Sequence, residues 1–313
     1  MATRFSQRDL YIGITDRSWY EFLYARKPHD EVNFWKPSTS RLNARLGAPF
    51  LFKLRAPINK IVGVGFFELS SSYRISDAWE FFSHKNGAPS LDDFLASIRR
   101  IAHAPLLPAS HEIGSILLSQ PIFFDEPDWI PAPVDWPMNT QNGMYYDMNS
   151  GEGARVWTAV QARIGSTLPP LAVSYGNLPF GGQAKPALYL PRQGQGTFRA
   201  VVLDAYDRRC AITGERTIPV LDAAHITPFS ELKRHELSNG VALRSDVHRL
   251  FDLGYVSIRP DNRFVVSPHL RDDFSNGKIY YEMHEREIRL PESSHAQPKR
   301  EALEYHYDNV FRK

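Results

Sequence analysis

Two histidines, an asparagine and three carboxylates between residues 222 and 252 could do chemistry together. They are Asp222, His225, Asn239, Asp246, His248 and Asp252. A neutral imidazole can take a proton from water near neutral pH. An imidazole and a carboxylate on adjacent elements can hold a divalent cation with positions left open for water and an anionic group. A base beside a cation is what phosphodiester hydrolysis needs, because water must be activated and charge on the phosphate neutralised.

Local pattern places these groups on elements. Val220–His225 reads as a short strand, Asn239–Gly240 as a turn, and Arg244–Leu253 as a helix. The helix puts His248 and Asp252 one turn apart on a shared face. Period two on the strand turns Asp222 to the side of Ala224. Around the motif lie Lys233, Arg234, Arg244 and Arg249, which would contact phosphates on both sides of a cut.

The stretch CAITGERTIPVLDAAHITPFSELKRHELSNGVALRSDVHRLFDLGYVSI resembles the HNH (ββα-metal) nucleases, in the subgroup with an AAHI, NG and H-x-LFD pattern. The likeness runs over about residues 197–285. It implies that His225 is the general base, that Asn239 ties the loop across the two strands, and that His248 is a metal ligand. One position departs from the pattern: Ala224 stands where most of these enzymes carry an Asp or His ligand. Asp222 is the candidate for the displaced carboxylate, and Asp252 either adds a ligand or fixes the His248 ring. Mg²⁺ or Mn²⁺ is the expected metal, with Zn²⁺, Ni²⁺ and Co²⁺ as alternatives. The expected substrate is double-stranded DNA, cut by a homodimer where both strands are cleaved.

The rest of the chain must place and restrain this chemistry. With 313 residues, two domains are expected. Strand-like runs at Leu10–Ile14, Phe50–Leu54, Ile61–Phe67 and Ile113–Leu118 alternate with helical patterns at Asp77–His84, Leu91–His103 and Gly153–Ile164. Ser90 and Asp93 mark the start of the middle helix. Residues 166–196 are rich in Pro and Gly and read as a linker. After it come a helix at Phe198–Arg208 and, beyond the motif, a hairpin of Tyr255–Ile258 with Arg263–Val266.

The segments YIGITDRSWYEFL, EVNFWKPS and GAPFLFKL…IVGVGFF, in that order, resemble the PUA-like superfamily of EVE-, YTH- and SRA-type readers of modified bases. The resemblance spans about residues 8–125. It implies a β-barrel that takes an extruded base into an aromatic pocket, with Asn33, Trp35 and Trp19 as pocket candidates. The expected organisation is α+β: a PUA-like domain at 1–165, a linker at 166–196 and an HNH domain at 197–313. The expected function is modification-dependent restriction of DNA. Two other readings stay open: a nuclease gated by a nucleotide or partner, and a DNA-binding module whose metal site has decayed.

Composition sets limits on these readings. The single cysteine, Cys210, excludes a disulfide framework and a four-cysteine zinc site, so it is expected to pack as a small apolar residue. Net charge is +2, so DNA binding would rest on a local cationic surface. No apolar run reaches the roughly 18 residues of a membrane span. The opening MATRFSQRDL lacks the apolar stretch of a secretory signal, which places the expected location in the cytoplasm.

Overall fold

The computed structural model describes residues 10–167, 194–232 and 236–313. The chain divides into two compact units, Met1–Gly194 and Gln195–Lys313. Most of the stretch expected to be a linker lies outside the described residues, as do Lys233 and Arg234. No helix among the described residues is long and apolar enough to cross a membrane.

The first unit is a mixed sheet with helices packed around it. In chain order its elements are β1 (Leu10–Thr15), α1 (Arg17–Tyr24), β2 (Glu31–Lys36), β3 (Pro49–Leu54), β4 (Lys60–Arg74), α2 (Ile75–Phe82) and α3 (Leu91–Ala102), followed by β5 (Glu112–Phe123), β6 (Ile130–Pro131), β7 (Gly143–Tyr146) and α4 (Gly151–Thr167). The strands run β2-β5-β4-β3-β1-β7, and β6 adds to β4. β1 and β3 are parallel and the other pairs are antiparallel. Among the described residues β2 and β7 are the two edges of the sheet and do not pair with each other, so the barrel closure expected from the sequence is not seen.

Short apolar runs buried on both faces account for most of this sheet. β4 outruns its expected end at Phe67 because its polar continuation pairs with β5, placing Ser71 opposite Ser115. Register shifts between Val64 and Phe66 and between Phe67 and Leu69 bend it. Val156, Val160 and Ile164 recur every four residues on α4 and seal it against Leu10, Ile12 and Leu51. Each fully buried aliphatic side chain of that kind contributes about 1.5–3 kcal/mol. Ser90 caps α3, its hydroxyl accepting from the Asp93 N–H at 3.1 Å.

The second unit begins with α5 (Gln195–Ala205), β8 (Leu221–His225), α6 (Phe229–Leu232), β9 (Gly240–Arg244) and α7 (Ser245–Asp252). β10 (Val256–Ile258), β11 (Phe264–Val266), α8 (Pro268–Phe274), α9 (Lys278–Tyr281) and α10 (Arg300–Asn309) complete it. β8 and β9 form an antiparallel pair and β10 and β11 another. Cys210 is buried, and its Sγ accepts from the Arg244 N–H at 3.2 Å and the Thr213 N–H at 3.4 Å.

α10 is fastened to α7 by a core histidine. His306 stacks on Phe251 at 3.6 Å, and its Nε2 lies 3.1 Å from the Phe251 carbonyl. Its Nδ1 lies 2.8 Å from the Ser257 hydroxyl. A neutral ring that donates from Nε2 and accepts at Nδ1 satisfies both contacts. Burial pushes this imidazole down to about 4, against the Phe251 carbonyl, which favours the charged form. A depressed folded-state pKa contributes stability that is present above the unfolded value near 6.5 and is lost as pH falls through about 4. Melting curves between pH 7.5 and 4 should therefore show the second unit losing up to about 3 kcal/mol from this group. His306→Gln should flatten that dependence.

Candidate active site

The β8–β9 pair sets the site. His225 lies opposite Gly240, and Asp222 opposite Leu243. α5 packs so close to the turn of this pair that a Cβ on Gly240 would collide with Val202, which is why glycine follows Asn239. Asn239 is 1% exposed and its amide closes the loop after β8. The Thr227 N–H donates to Asn239 Oδ1 at 2.8 Å, and Asn239 Nδ2 donates to the Thr227 carbonyl at 2.9 Å. The Ile226 N–H donates to the Asn239 carbonyl at 2.9 Å. These three bonds fix the backbone immediately after His225.

Two aromatic rings hold the His225 imidazole. Phe198 of α5 stacks on it at 4.1 Å with planes 12° apart, and Phe229 of α6 meets it edge-on at 5.8 Å. The histidine opens on a cavity of about 620 Å³ that is also lined by Arg199, Asp222, His248 and Asp252. Strand, helix and loop thus deliver the imidazole and the carboxylates to one chamber.

His248 sits between the two carboxylates. Its Nδ1 is 3.3 Å from Asp222 Oδ2 and its Nε2 is 3.4 Å from Asp252 Oδ2. Burial works to lower the His248 pKa, but the bond to Asp222 and the charges of Asp252 and Asp222 outweigh it, and the ring is held above its ordinary value. The His248 bond in turn holds Asp222 below the usual carboxylate range, assisted by Ser245 and the charge of Arg199. Burial raises Asp252. The Arg199 guanidinium donates to the Leu221 carbonyl at 2.7 and 3.0 Å and to the Ile218 carbonyl at 3.1 Å. It anchors the start of β8 and brings positive charge to the same wall.

Imidazole nitrogen and carboxylate oxygen are the donor types that a divalent cation keeping much of its own water takes. Among the described residues no group of three His, Cys, Asp or Glu converges on one point. The cause is visible in the ring: its two nitrogens face opposite carboxylates, so each carboxylate pairs with a different edge.

The cationic residues expected to meet phosphate are placed unequally. Arg244 is held by Asp246 in a two-pronged ion pair at 2.6 and 2.7 Å, and Asp246 also accepts from the Tyr280 hydroxyl at 3.0 Å. Arg249 is exposed on α7. In the first unit, Trp19 and Trp35 border a void of only about 50 Å³. Their indole N–H groups are committed to the carbonyls of Asn33 at 3.3 Å and Asn86 at 2.9 Å. Asn33 is fully buried, donating to Asn86 Oδ1 at 2.9 Å and Ser115 Oγ at 3.1 Å.

Sequence reasoning missed Phe198 and Arg199. Both lie upstream of the motif in a run that reads as an ordinary helix face, and no local signal marks either one.

Residues 210–259 match the family model described as HNH endonuclease, so the second unit contains an HNH endonuclease domain. No curated protein matches the chain. Among solved structures, the chain is similar to an ASCH protein of Zymomonas mobilis at 10% identity, over 49% of this chain and 96% of that one, with a TM-score of 0.34. It is also similar to the modification-dependent TagI restriction endonuclease at 13% identity, over 91% of this chain and 78% of that one, with a TM-score of 0.29. Neither likeness is close enough to assign a function to this chain.

Proposed function

We propose that the protein is a metal-dependent DNA endonuclease in which the second unit hydrolyses a phosphodiester and the first selects DNA carrying a modified base. The observation that supports the cutting reaction most directly is the shared chamber of His225, Asp222, His248 and Asp252 beside a loop locked by Asn239. In this reading His225 accepts the proton of the attacking water. Phe198 and Phe229 keep its ring in one orientation, and Asn239 keeps its backbone in place. His248 and Asp222 would hold the cation, with Asp252 as a further carboxylate. When bound, a Mg²⁺-class ion supplies charge neutralisation at the phosphate and the leaving oxygen. Exposed Arg249, together with Lys233 and Arg234, would face the DNA backbone.

The PUA-like β-barrel assignment of the first unit and the role of Trp19, Trp35 and Asn33 in base selection belong to the same proposal. So do a homodimer on DNA and the division into a reader domain at 1–165, a linker at 166–196 and a nuclease domain at 197–313. The burial of Trp19 and Trp35 means that base selection through them requires the void between them to widen.

Matched plasmids test the proposal, one unmodified and others carrying methylated or hydroxymethylated cytosine, each incubated with Mg²⁺ or Mn²⁺. Cutting of one modified substrate at least about 100-fold faster than unmodified DNA is the expected result. Equal cutting of every plasmid would leave the nuclease standing and remove the reader. No cutting of any substrate with either metal, with DNA still bound, would remove the free-standing nuclease and favour the gated or decayed readings.

A further inference from the structure

The first unit has a larger cleft beside the Trp19–Trp35 void, sharing Ile14 and Arg55 with it. Its volume of about 650 Å³ lies within the usual range of small-molecule sites, roughly 300–1,000 Å³, whereas the 50 Å³ void falls far below it. Lys53, near the end of β3, lines its inner wall. The loop between β6 and β7 supplies Trp136 and the fully exposed Met138.

Lys53 is an unusual residue to bury. It is 2% exposed, and its Nζ donates only to neutral oxygens, Asn59 Oδ1 at 2.9 Å and the Leu54 carbonyl at 3.2 Å. The ammonium also lies 4.7 Å from the centroid of the Trp136 ring. Arg55 stands two residues along, exposed. Among the described residues neither cation pairs with a carboxylate. Burial and the nearby charge of Arg55 both push the Lys53 ammonium down. Holding two like charges in one cleft without a counter-charge is costly, and a bound anion would relieve that cost. The ring of Trp136, which also stacks with Tyr146 at 6.3 Å, lines the cleft and adds an apolar wall beside the two cations.

We infer that the Lys53–Arg55 cleft binds a nucleotide through its phosphate, with Lys53 and Arg55 as counter-charges and Trp136 against the base. The phosphate comes either from a free nucleotide or from a DNA strand, and both present the same chemistry to the two cations. This site lies within the first unit and stands whether or not the second unit cuts DNA.

The test uses the full chain in EDTA, so that no DNA is cut. Binding of a deoxynucleoside 5′-monophosphate, the matching nucleoside and a short duplex is followed by calorimetry and tryptophan fluorescence. Wild type is compared with Arg55→Gln, an exposed change that leaves the fold intact, and with Lys53→Met. The monophosphate is expected to bind at least 10-fold more tightly than the nucleoside, and each variant to weaken it at least 5-fold. Lys53→Met should not lower the melting temperature, because it removes an uncompensated buried charge. If the duplex is weakened by both variants while the monophosphate does not bind, the phosphate is a strand's and the cleft still stands. Equal binding of nucleoside and nucleotide, or variants that bind both the monophosphate and the duplex as wild type does, would overturn the inference.

Discussion

His225→Ala should abolish DNA cleavage, lowering the rate about 10²–10⁴-fold while leaving DNA binding within a few-fold of wild type. The size of the effect follows from the role. General base catalysis is worth that much when the base is correctly placed, and no other imidazole in the chamber can replace it. His248 is clamped between Asp222 and Asp252 at 3.3 and 3.4 Å, and His306 is neutral, buried and bonded at both nitrogens. The substitution should also be tolerated structurally, since it trims one half-buried ring stacked on Phe198. The measurement is single-turnover cleavage of the preferred plasmid with Mg²⁺, beside a gel-shift in EDTA. A variant that still cuts at a tenth of the wild-type rate would remove His225 from the reaction.

Asn239→Ala should cost both stability and activity. The substitution strands the Thr227 N–H and carbonyl, which the amide now satisfies at 2.8 and 2.9 Å in a site that is 1% exposed. Each buried group left unpaired costs about 1–3 kcal/mol, so for the two a loss of about 2–6 kcal/mol is expected. Cleavage should fall further than the folded fraction does, because the loop that fixes the backbone after His225 is released. Thermal melting and cleavage at a temperature where the variant remains folded separate the two effects. Asn239→Asp makes a sharper comparison: it retains an acceptor for the Thr227 N–H but loses the donor to the carbonyl. A variant with wild-type melting and wild-type cutting would show that the amide bridge is dispensable.

Much of the second unit was legible because its parts are close in sequence. Strand alternation and one helical turn are local signals, and β8 and α7 form within a residue of the expected ends, whereas β9 (Gly240–Arg244), given no range in the sequence, begins at the glycine expected to lie in a turn. Asp222 shows how far such reasoning reaches. Period two turns it to the side of Ala224, yet Ala224 is buried while Asp222 lines the cavity, its Oδ2 3.3 Å from His248 Nδ1. The opposed placement of the two carboxylates about the imidazole was not readable, since it depends on the His248 rotamer. Phe198 and Arg199 were hidden for a different reason: their roles exist only once α5 packs across β8. In the first unit, β4 ran past its expected end because Ser70–Ser72 look solvent-facing, whereas Ser70 and Ser71 are buried. The aromatic richness of EVNFWK suggested a pocket, yet the same residues serve the core. Lys53 drew no notice, because a lysine in FLFKLR reads as one outward position of a strand.

The order of the two units along the chain has a consequence for synthesis. Domains generally fold as they leave the ribosome, N-terminal part first, at about 5–20 residues per second. The sheet of Met1–Gly194 is therefore free to assemble while Gln195–Lys313 is still being made, a lag of roughly 6–24 s at those rates. On the proposed function, the half assigned to cutting is then born onto a chain whose other half already exists. Should the first unit restrain the second, the cell never meets an unguarded nuclease during translation, a safeguard that the reverse gene order could not provide.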